Sequence, residues 1–379
     1  MGRLLIVMLG AFVAQTAEYL PIGLLPQIGR NLGVPESAVG ALVTGYAWIA
    51  AVTAVPLTLT TSRLDRRWLF LGLLGVISLA NILAALSPDY AMLALMRVVA
   101  ALTHGVFWSI LASLATRIAP EMPAGRALAW AFGGISLAIV AGVPSATAIG
   151  QWAGWRAAFS AFALLGFATT AFGAWRLPAL KAKVLEAGAW PLGNGRLIVA
   201  VIITGLIVAA HFCGYTYIVP LLGGVAGVAS ASIPMLLFLF GGAGAAGTAL
   251  AGWINCRPAI LALLAAIGIV AGEALMALAP PFPLFAWLEM LVWGASVSVL
   301  VVGLQGWVLE LAPEQSDTAS ALYVAMFNLG IGTGAMAGGA VLQMAGERPV
   351  LWTGITVGAG ACVGLTIQIS RALTAKVPG

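Results

Sequence analysis

An all-helical fold that crosses a lipid bilayer twelve times is what this sequence predicts, and three observations predict it. Hydrophobic residues fill 62% of the 379 positions and charged residues only 8%, with the charges gathered mostly in short clusters between long apolar stretches. Water cannot satisfy backbone polar groups inside hydrocarbon, so such stretches must bond internally as helices, each needing about 20 residues to cross the bilayer core. A membrane barrel would alternate apolar and polar residues, whereas runs such as Leu261 to Val270 are apolar on every side.

The spans follow in order, punctuated by polar clusters, with bounds read to about 2 to 4 residues. The first covers residues 4–27. Its opening, Arg3-Leu4-Leu5-Ile6-Val7 and then Ala14-Gln15-Thr16-Ala17, could pass for a secretory signal with a cleavage site, but the apolar stretch runs on past Glu18 to Ile28 and makes a full span. The second, 37–61, ends at the cluster Arg63-Leu64-Asp65-Arg66-Arg67, and the third and fourth are 68–87 and 90–117. Ala119-Pro120-Glu121 separates these from the fifth, 126–149, and Gly154-Trp155-Arg156 opens the sixth, 154–175. Beyond a long polar interruption come 197–221 and 231–253, then Asn255-Cys256-Arg257-Pro258, then 259–279 and 284–309. Ala312-Pro313-Glu314 precedes 318–344, and Gly346-Glu347-Arg348 precedes the last span, 350–371.

Lys and Arg orient the chain. With both termini in the cytoplasm, inner loops and ends hold Arg3, Arg63, Arg66, Arg67, Arg117, Arg126, Arg176, Lys181, Lys183, Arg196, Arg257, Arg371 and Lys376, while the outer side keeps Arg30, Arg156 and Arg348. The positive-inside rule therefore predicts N-in, C-in topology. Basic inner loops facing anionic lipid account for the net charge of +5, so no nucleic-acid partner is called for. Cys213, Cys256 and Cys362 lie far apart without metal-ligand spacing, and are expected to be inert thiols rather than a disulfide framework. Nor is a zinc site expected from His104 and His211, which have no clustered thiolate or carboxylate around them. The 47 glycines suit close helix packing better than phosphate binding; with no Walker-type sequence, neither ATP nor any other cofactor is expected.

The interruption from Arg176 to Arg196 divides the spans six and six, so the expected organisation is a bundle over 1–175, a cytoplasmic linker over 176–196 and a second bundle over 197–379. The halves echo one another. The clusters after the second and eighth spans, after the fourth and tenth, and before the sixth and twelfth recur at nearly constant offset. Parallel repeats of this kind place a substrate site between the halves near the membrane midplane, reached alternately from either side.

Five stretches carry a specific likeness: Thr16 to Leu25, Thr61 to Arg67, His104 to Ile110, Ala210-His211 through Tyr217 to Pro220, and Phe327 to Gly332. Through them the chain resembles major facilitator superfamily transporters of the drug:proton antiporter type, and among these the bacterial sugar efflux transporters, also called arabinose efflux permeases. The resemblance implies the major facilitator fold, two pseudo-symmetric six-helix bundles, in a multi-pass protein of the bacterial inner membrane. It also implies a monomer exchanging protons for a small molecule. Asp65, Arg66 and Arg67 match the superfamily's loop that makes charge interactions between the halves on the cytoplasmic side, with Ser62 where that motif begins with glycine and Asn255 replacing the acid of the second copy. Gly134, Gly142 and Pro144 resemble the antiporter motif of the fifth helix, although Val143 interrupts its usual Gly-Pro pair.

Intramembrane charges are the leading functional candidates. Glu18, two-thirds of the way along the first span, costs roughly 2.5 to 3.5 kcal/mol at such depth and is placed to bind and release a proton. A structural carboxylate tied to a neighbouring helix is the other reading. Arg97, in the fourth span, lies at a similar depth, about 10 to 14 Å below the outer surface at 1.5 Å per residue, so the two are expected to form an ion pair, either one that opens during a proton cycle or a permanent packing pair. In the resembled family the first and fourth helices both line the central cavity, and Arg97 falls on the arginine of the fourth-helix motif. His104, two turns beyond Arg97, faces the same way, and His211 lies fifteen residues into the seventh span; both are candidates for proton relay or substrate contact.

Glu273 is expected to reach the membrane interface, because the ninth helix of the resembled fold is peripheral, whereas Glu289 lies on a cavity-lining helix. Gln15 and Asn328 are candidates to hydrogen-bond a polar substrate, or amides that join helices. Most of the 13 tryptophans are expected to be interfacial anchors, while Trp108, Tyr19, Tyr46, Tyr215 and Tyr217 are better placed to reach a ligand. Transport rather than catalysis is expected, because no nucleophile or metal motif accompanies these acids and bases. The expected activity is proton-coupled export of sugars or sugar-like molecules, with multidrug or other metabolite efflux as the alternative. A cavity lined by Asn, Gln, His and Trp would favour the former, and one lined by Met and Phe the latter.

Overall fold

The computed structural model describes residues 2–61, 63–122, 124–180, 193–253, 256–279 and 283–374. Ser62, Asn255, Lys181, Lys183, Glu186 and Lys376, and most of the expected linker, lie outside the described residues. The described residues are all-helical outside turns and connections, and twelve helical spans are long and apolar enough to cross a membrane.

The chain divides into two units, residues 1–186 and 187–379. The first contains α1 (Gly2–Leu32), α2 (Glu36–Thr60), α3 (Arg66–Ala85), α4 (Tyr90–Ile118), α5 (Ala124–Leu137), α6 (Val143–Ala153) and α7 (Trp155–Arg176). The second contains α8 (Gly195–Tyr215), α9 (Ile218–Gly224), α10 (Ile233–Trp253), α11 (Pro258–Leu278), α12 (Pro283–Leu311), α13 (Ser316–Ala345) and α14 (Glu347–Thr374). Short polar residues start several of these. Asp65 accepts from the Arg67 and Trp68 amides to cap α3, Asp89 caps α4 through Met92, and Asn194 caps α8 through Leu197.

Two expected spans are interrupted. In the fifth, α5 passes into a π-helical turn at Ala138–Gly142 before α6, and the Val143 amide bonds back five residues to Ala138. Pro144 follows at once with no N–H to offer, and the widened turn accommodates the lost bond. In the seventh, α8 stops at Tyr215 and α9 resumes at Ile218, because Pro220 has no N–H to bond back toward Thr216.

The same packing scheme recurs in both units. In the first, α3 packs on α4 and α7, α2 on α4, and α1 on α5 and α7; in the second, α11 packs on α12 and α14, α10 on α12, and α8 on α13 and α14. Backbone geometry repeats as well. Among the described residues, φ is positive only at four glycines: Gly33 and Gly227 follow the first span of each half, and Gly154 and Gly346 precede the last. These are left-handed turns that a side chain would strain. The apolar windows of α1 and α8 are 78% and 72% buried, against 56% or less for every other span, so each unit is organised around its first helix. Large apolar side chains such as Leu95, Leu164, Leu264 and Val302 point outward instead, as suits helices whose solvent is lipid.

Candidate functional site

In the first unit six of the expected site residues come together. Gln15 and Glu18 stand one turn apart on α1, so their side chains share a face. Gln15 Nε2 donates to Glu18 Oε2 at 2.7 Å, and both residues are buried. His104 Nε2, from α4, lies 3.7 Å from the same carboxylate oxygen.

The other ring nitrogen of His104 fixes its proton. Trp108, one turn further along α4, donates its indole N–H to His104 Nδ1 at 3.3 Å, and Tyr46 Oη from α2 lies 3.1 Å from that nitrogen. An indole can only donate, so Nδ1 is an acceptor and the proton of the neutral ring sits on Nε2, directed toward Glu18. Edge-on ring contacts of His104 with Tyr46 and Trp108 hold the imidazole in place.

Arg97 corrects the expected ion pair. Its guanidinium reaches α1 at Glu18, but through the backbone: Nη1 donates to the Ala17 carbonyl at 2.6 Å and Nη2 to the Glu18 carbonyl at 2.8 Å. Among the described residues no ion pair within 4.0 Å joins Arg97 to the Glu18 carboxylate; His104 occupies that place. The cause is Pro21. With no N–H, it leaves the carbonyl of Ala17, four residues earlier, without its helical donor, and Arg97 supplies one. The guanidinium also stacks over the Tyr46 ring, 4.4 Å from its centroid. Proline four residues after Ala17 was the sequence signal for this contact. Tyr19 is buried on α1 beside the cluster's acid.

The motif residues of this unit make the following contacts within it. Oδ1 of Asp65 caps α3, while its Oδ2 accepts from the Leu180 amide at 2.9 Å, tying the segment after α7 to the start of α3. The Arg66 amide returns the tie by donating to Leu180 O, and Arg67 donates to Ala174 O and lies over Trp68. A methyl at Gly134 would meet the α1 backbone at Met8 and Phe12, and one at Gly142 would meet Thr16, so both glycines let α5 and the π turn approach α1. Pro144 is buried in the first turn of α6.

The second unit has its own buried polar cluster. Trp293 on α12 donates its indole N–H to His211 Nδ1 at 3.0 Å, which again leaves the ring proton on Nε2. Tyr215, one turn beyond His211, stacks on it with centroids 5.0 Å apart and stacks in turn on Phe240 of α10. Sequence reasoning missed Trp293 and Phe240; Trp293 lies four residues after Glu289, and that spacing was the available signal. Tyr217 spends its hydroxyl on the Ala335 carbonyl at 3.0 Å, joining the α8–α9 break to α13. Asn328 donates to Val324 O within α13, and its Oδ1 is left unpaired. Glu289 is buried with Oε1 unpaired.

Glu273 departs from expectation. It does not reach an interface: it is 0% exposed, and neither carboxylate oxygen has a hydrogen-bond partner. The contacts of α11 with α12, α14 and α8 explain its enclosure. A cavity of about 450 Å³ opens elsewhere, at the end of the first unit where α1 begins, lined by Arg3, Glu121, Phe172 and Arg176.

Twelve apolar spans in two units with a common packing scheme define a multi-pass membrane protein of repeated architecture. The Major Facilitator Superfamily profile matches residues 7–335, and the chain belongs to that family. Solved structures similar to it include a mutant of the nucleoside transporter NupG, at 14% identity and TM-score 0.80 over 97% of this chain and 98% of that one. A bacterial homologue of the human lysosomal transporter Spinster, inward-facing and occupied, is 14% identical with TM-score 0.75 over 97% of this chain and 96% of the other. The human organic anion transporter MFSD10 is 17% identical with TM-score 0.68 over 96% and 99%. At such identities these likenesses concern the fold.

Proposed function

We propose that the protein is a proton-coupled exporter of sugars or sugar-like small molecules, working by alternating access as a monomer in a bacterial inner membrane. The observation that carries this reading is the Glu18 carboxylate, buried, 2.7 Å from Gln15 Nε2 and 3.7 Å from the Nε2 of His104. A carboxylic acid and an imidazole facing each other can exchange a proton with whatever water or substrate reaches between them. Arg97 supplies a fixed positive charge beside the acid. Because its hydrogen bonds go to backbone carbonyls, it keeps α4 on α1 whether Glu18 is charged or neutral. Protonation then acts on the Gln15 and His104 contacts rather than on the tie between helices.

Sugar-like substrates suit the donors and acceptors around this acid, where Gln15 and the half-buried Trp108 ring stand beside a histidine. The Asn328 Oδ1, unpaired on α13, is a further acceptor for a hydroxyl. In this reading Asp65, Arg66 and Arg67 steady one conformation, and the Gly134, Gly142 and Pro144 segment permits bending between states.

The test is proton movement in proteoliposomes under a panel of sugars and hydrophobic cations, comparing the native chain with Glu18→Gln. Sugar-induced proton movement in the native chain, abolished in the variant, is expected. Proton release to cations alone would transfer the assignment to multidrug efflux, and an unchanged variant would remove Glu18 from coupling.

A further inference from the structure

Glu273 is a carboxyl for which the fold has made room without providing a partner. Its two oxygens sit against glycines on two different helices. A methyl at Gly214 of α8 would lie 3.2 Å from Oε1, and one at Gly354 of α14 would lie 2.6 Å from Oε2 and 3.0 Å from Oε1. A methyl at Gly354 would press on the acid, so the carboxyl group fills space that a side chain there would need. The Ala210 carbonyl lines the same slot, 3.0 Å from the same methyl position, and the Trp293 ring closes it from α12, 3.0 Å from the Gly214 methyl position.

A charged carboxylate with neither oxygen paired, enclosed by helices, is the least stable state for this group, and a neutral acid avoids the charge penalty. We propose that Glu273 is a proton-binding site of the second unit, separate from Glu18, which holds its proton while α8, α11, α12 and α14 are packed as here. The titratable groups facing it belong to α8 and α12. Cys213 precedes Gly214 and spends its thiol on Val350 O at 3.5 Å. His211 is linked to the slot through Trp293, and Glu289 lies one turn before that tryptophan. On α14 the flanking charged or titratable positions are Glu347, Arg348 and Cys362, each about two turns from Gly354. None of the four helices brings a lysine or arginine to the slot among the described residues. Because its walls come from three helices, a rearrangement that parted α8 from α14 would open the slot and let the proton go. That this release takes part in transport rests on the function proposed above; the occupancy of the site does not.

Infrared spectroscopy of the full chain in lipid, taken as native minus Glu273→Gln across a pH series in light and heavy water, reads the proton directly. A carboxylic acid C=O band at neutral pH, shifted in heavy water, absent from Glu273→Gln and retained in Glu18→Gln and Glu289→Gln, is expected. Loss of intensity in the carboxylate region instead would overturn the proposal. Gly354→Ala provides a second reading, since its methyl presses on Oε2: the acid band should change frequency without losing intensity, and an unmoved band would place the proton elsewhere. A chain that shows the band but moves no solute would leave this site standing and sink the transport reading alone.

Discussion

The proton on His104 is placed by a tryptophan. Replacing Trp108 with phenylalanine keeps an aromatic ring against the imidazole and removes its obligatory donor to Nδ1, so the neutral ring should distribute its proton over both nitrogens. Nitrogen NMR of selectively labelled histidine should report Nε2 protonation in the native chain and a tautomer mixture in Trp108→Phe; an unchanged spectrum would mean that the surroundings of Nε2 set the tautomer. Arg97 is a second residue whose chemistry is narrow. A lysine there carries the charge but cannot span the Ala17 and Glu18 carbonyls with a rigid fork, and hydrogen bonds involving a charged group are worth about 1.5 to 3 kcal/mol each. Arg97→Lys should therefore unfold in detergent at clearly lower temperature than the native chain, and equal melting temperatures would refute the backbone clamp.

Helices meet in this protein where prolines and glycines have altered their surfaces. Pro21 exposes the carbonyl that Arg97 binds, so the two residues should be energetically coupled across α1 and α4. Pro21→Ala returns a helical donor to Ala17, after which Arg97→Gln should cost less stability than it does in the native background; a double-mutant cycle with no coupling energy would rule this out. Where α1 passes the π turn, a methyl at Gly142 would meet Thr16 and find its Cγ2 at 3.0 Å. Overpacking of this sort costs about 1 to 3 kcal/mol, so Gly142→Ala should lower the unfolding temperature and Thr16→Ala should restore part of the loss. The absence of any rescue would locate the strain in the π turn itself.

For the molecule as a whole, the recurrence of one packing scheme in two units makes a matched prediction. Gly154 and Gly346 have φ of 85° and 88° and occupy equivalent turns before the sixth and twelfth spans. At Gly154 ψ is 158°, a positive-φ conformation that is essentially glycine-only and costs a side chain of order 1 to 3 kcal/mol, so Gly154→Ala and Gly346→Ala should both destabilise and, lying in separate units, should add in the double variant. Unequal losses would show that the two turns bear different loads despite their common geometry.

Helix number, membrane character and the two-fold repeat were legible in the sequence, because hydrocarbon permits one backbone solution to a long apolar stretch and charge clusters mark where each ends. The grouping of Glu18 with His104, Trp108 and Gln15 was partly legible, through helical spacing and depth. Tertiary structure decided the rest. Depth alone brought Arg97 to Glu18 without saying that a proline had opened a carbonyl for it. The family resemblance put Glu273 on an outlying helix, but its surroundings depended on two glycines, Gly214 and Gly354, far away in the chain. Burial, pairing and the position of a proton belong to neighbours in space, and only the packed helices determine which neighbours those are.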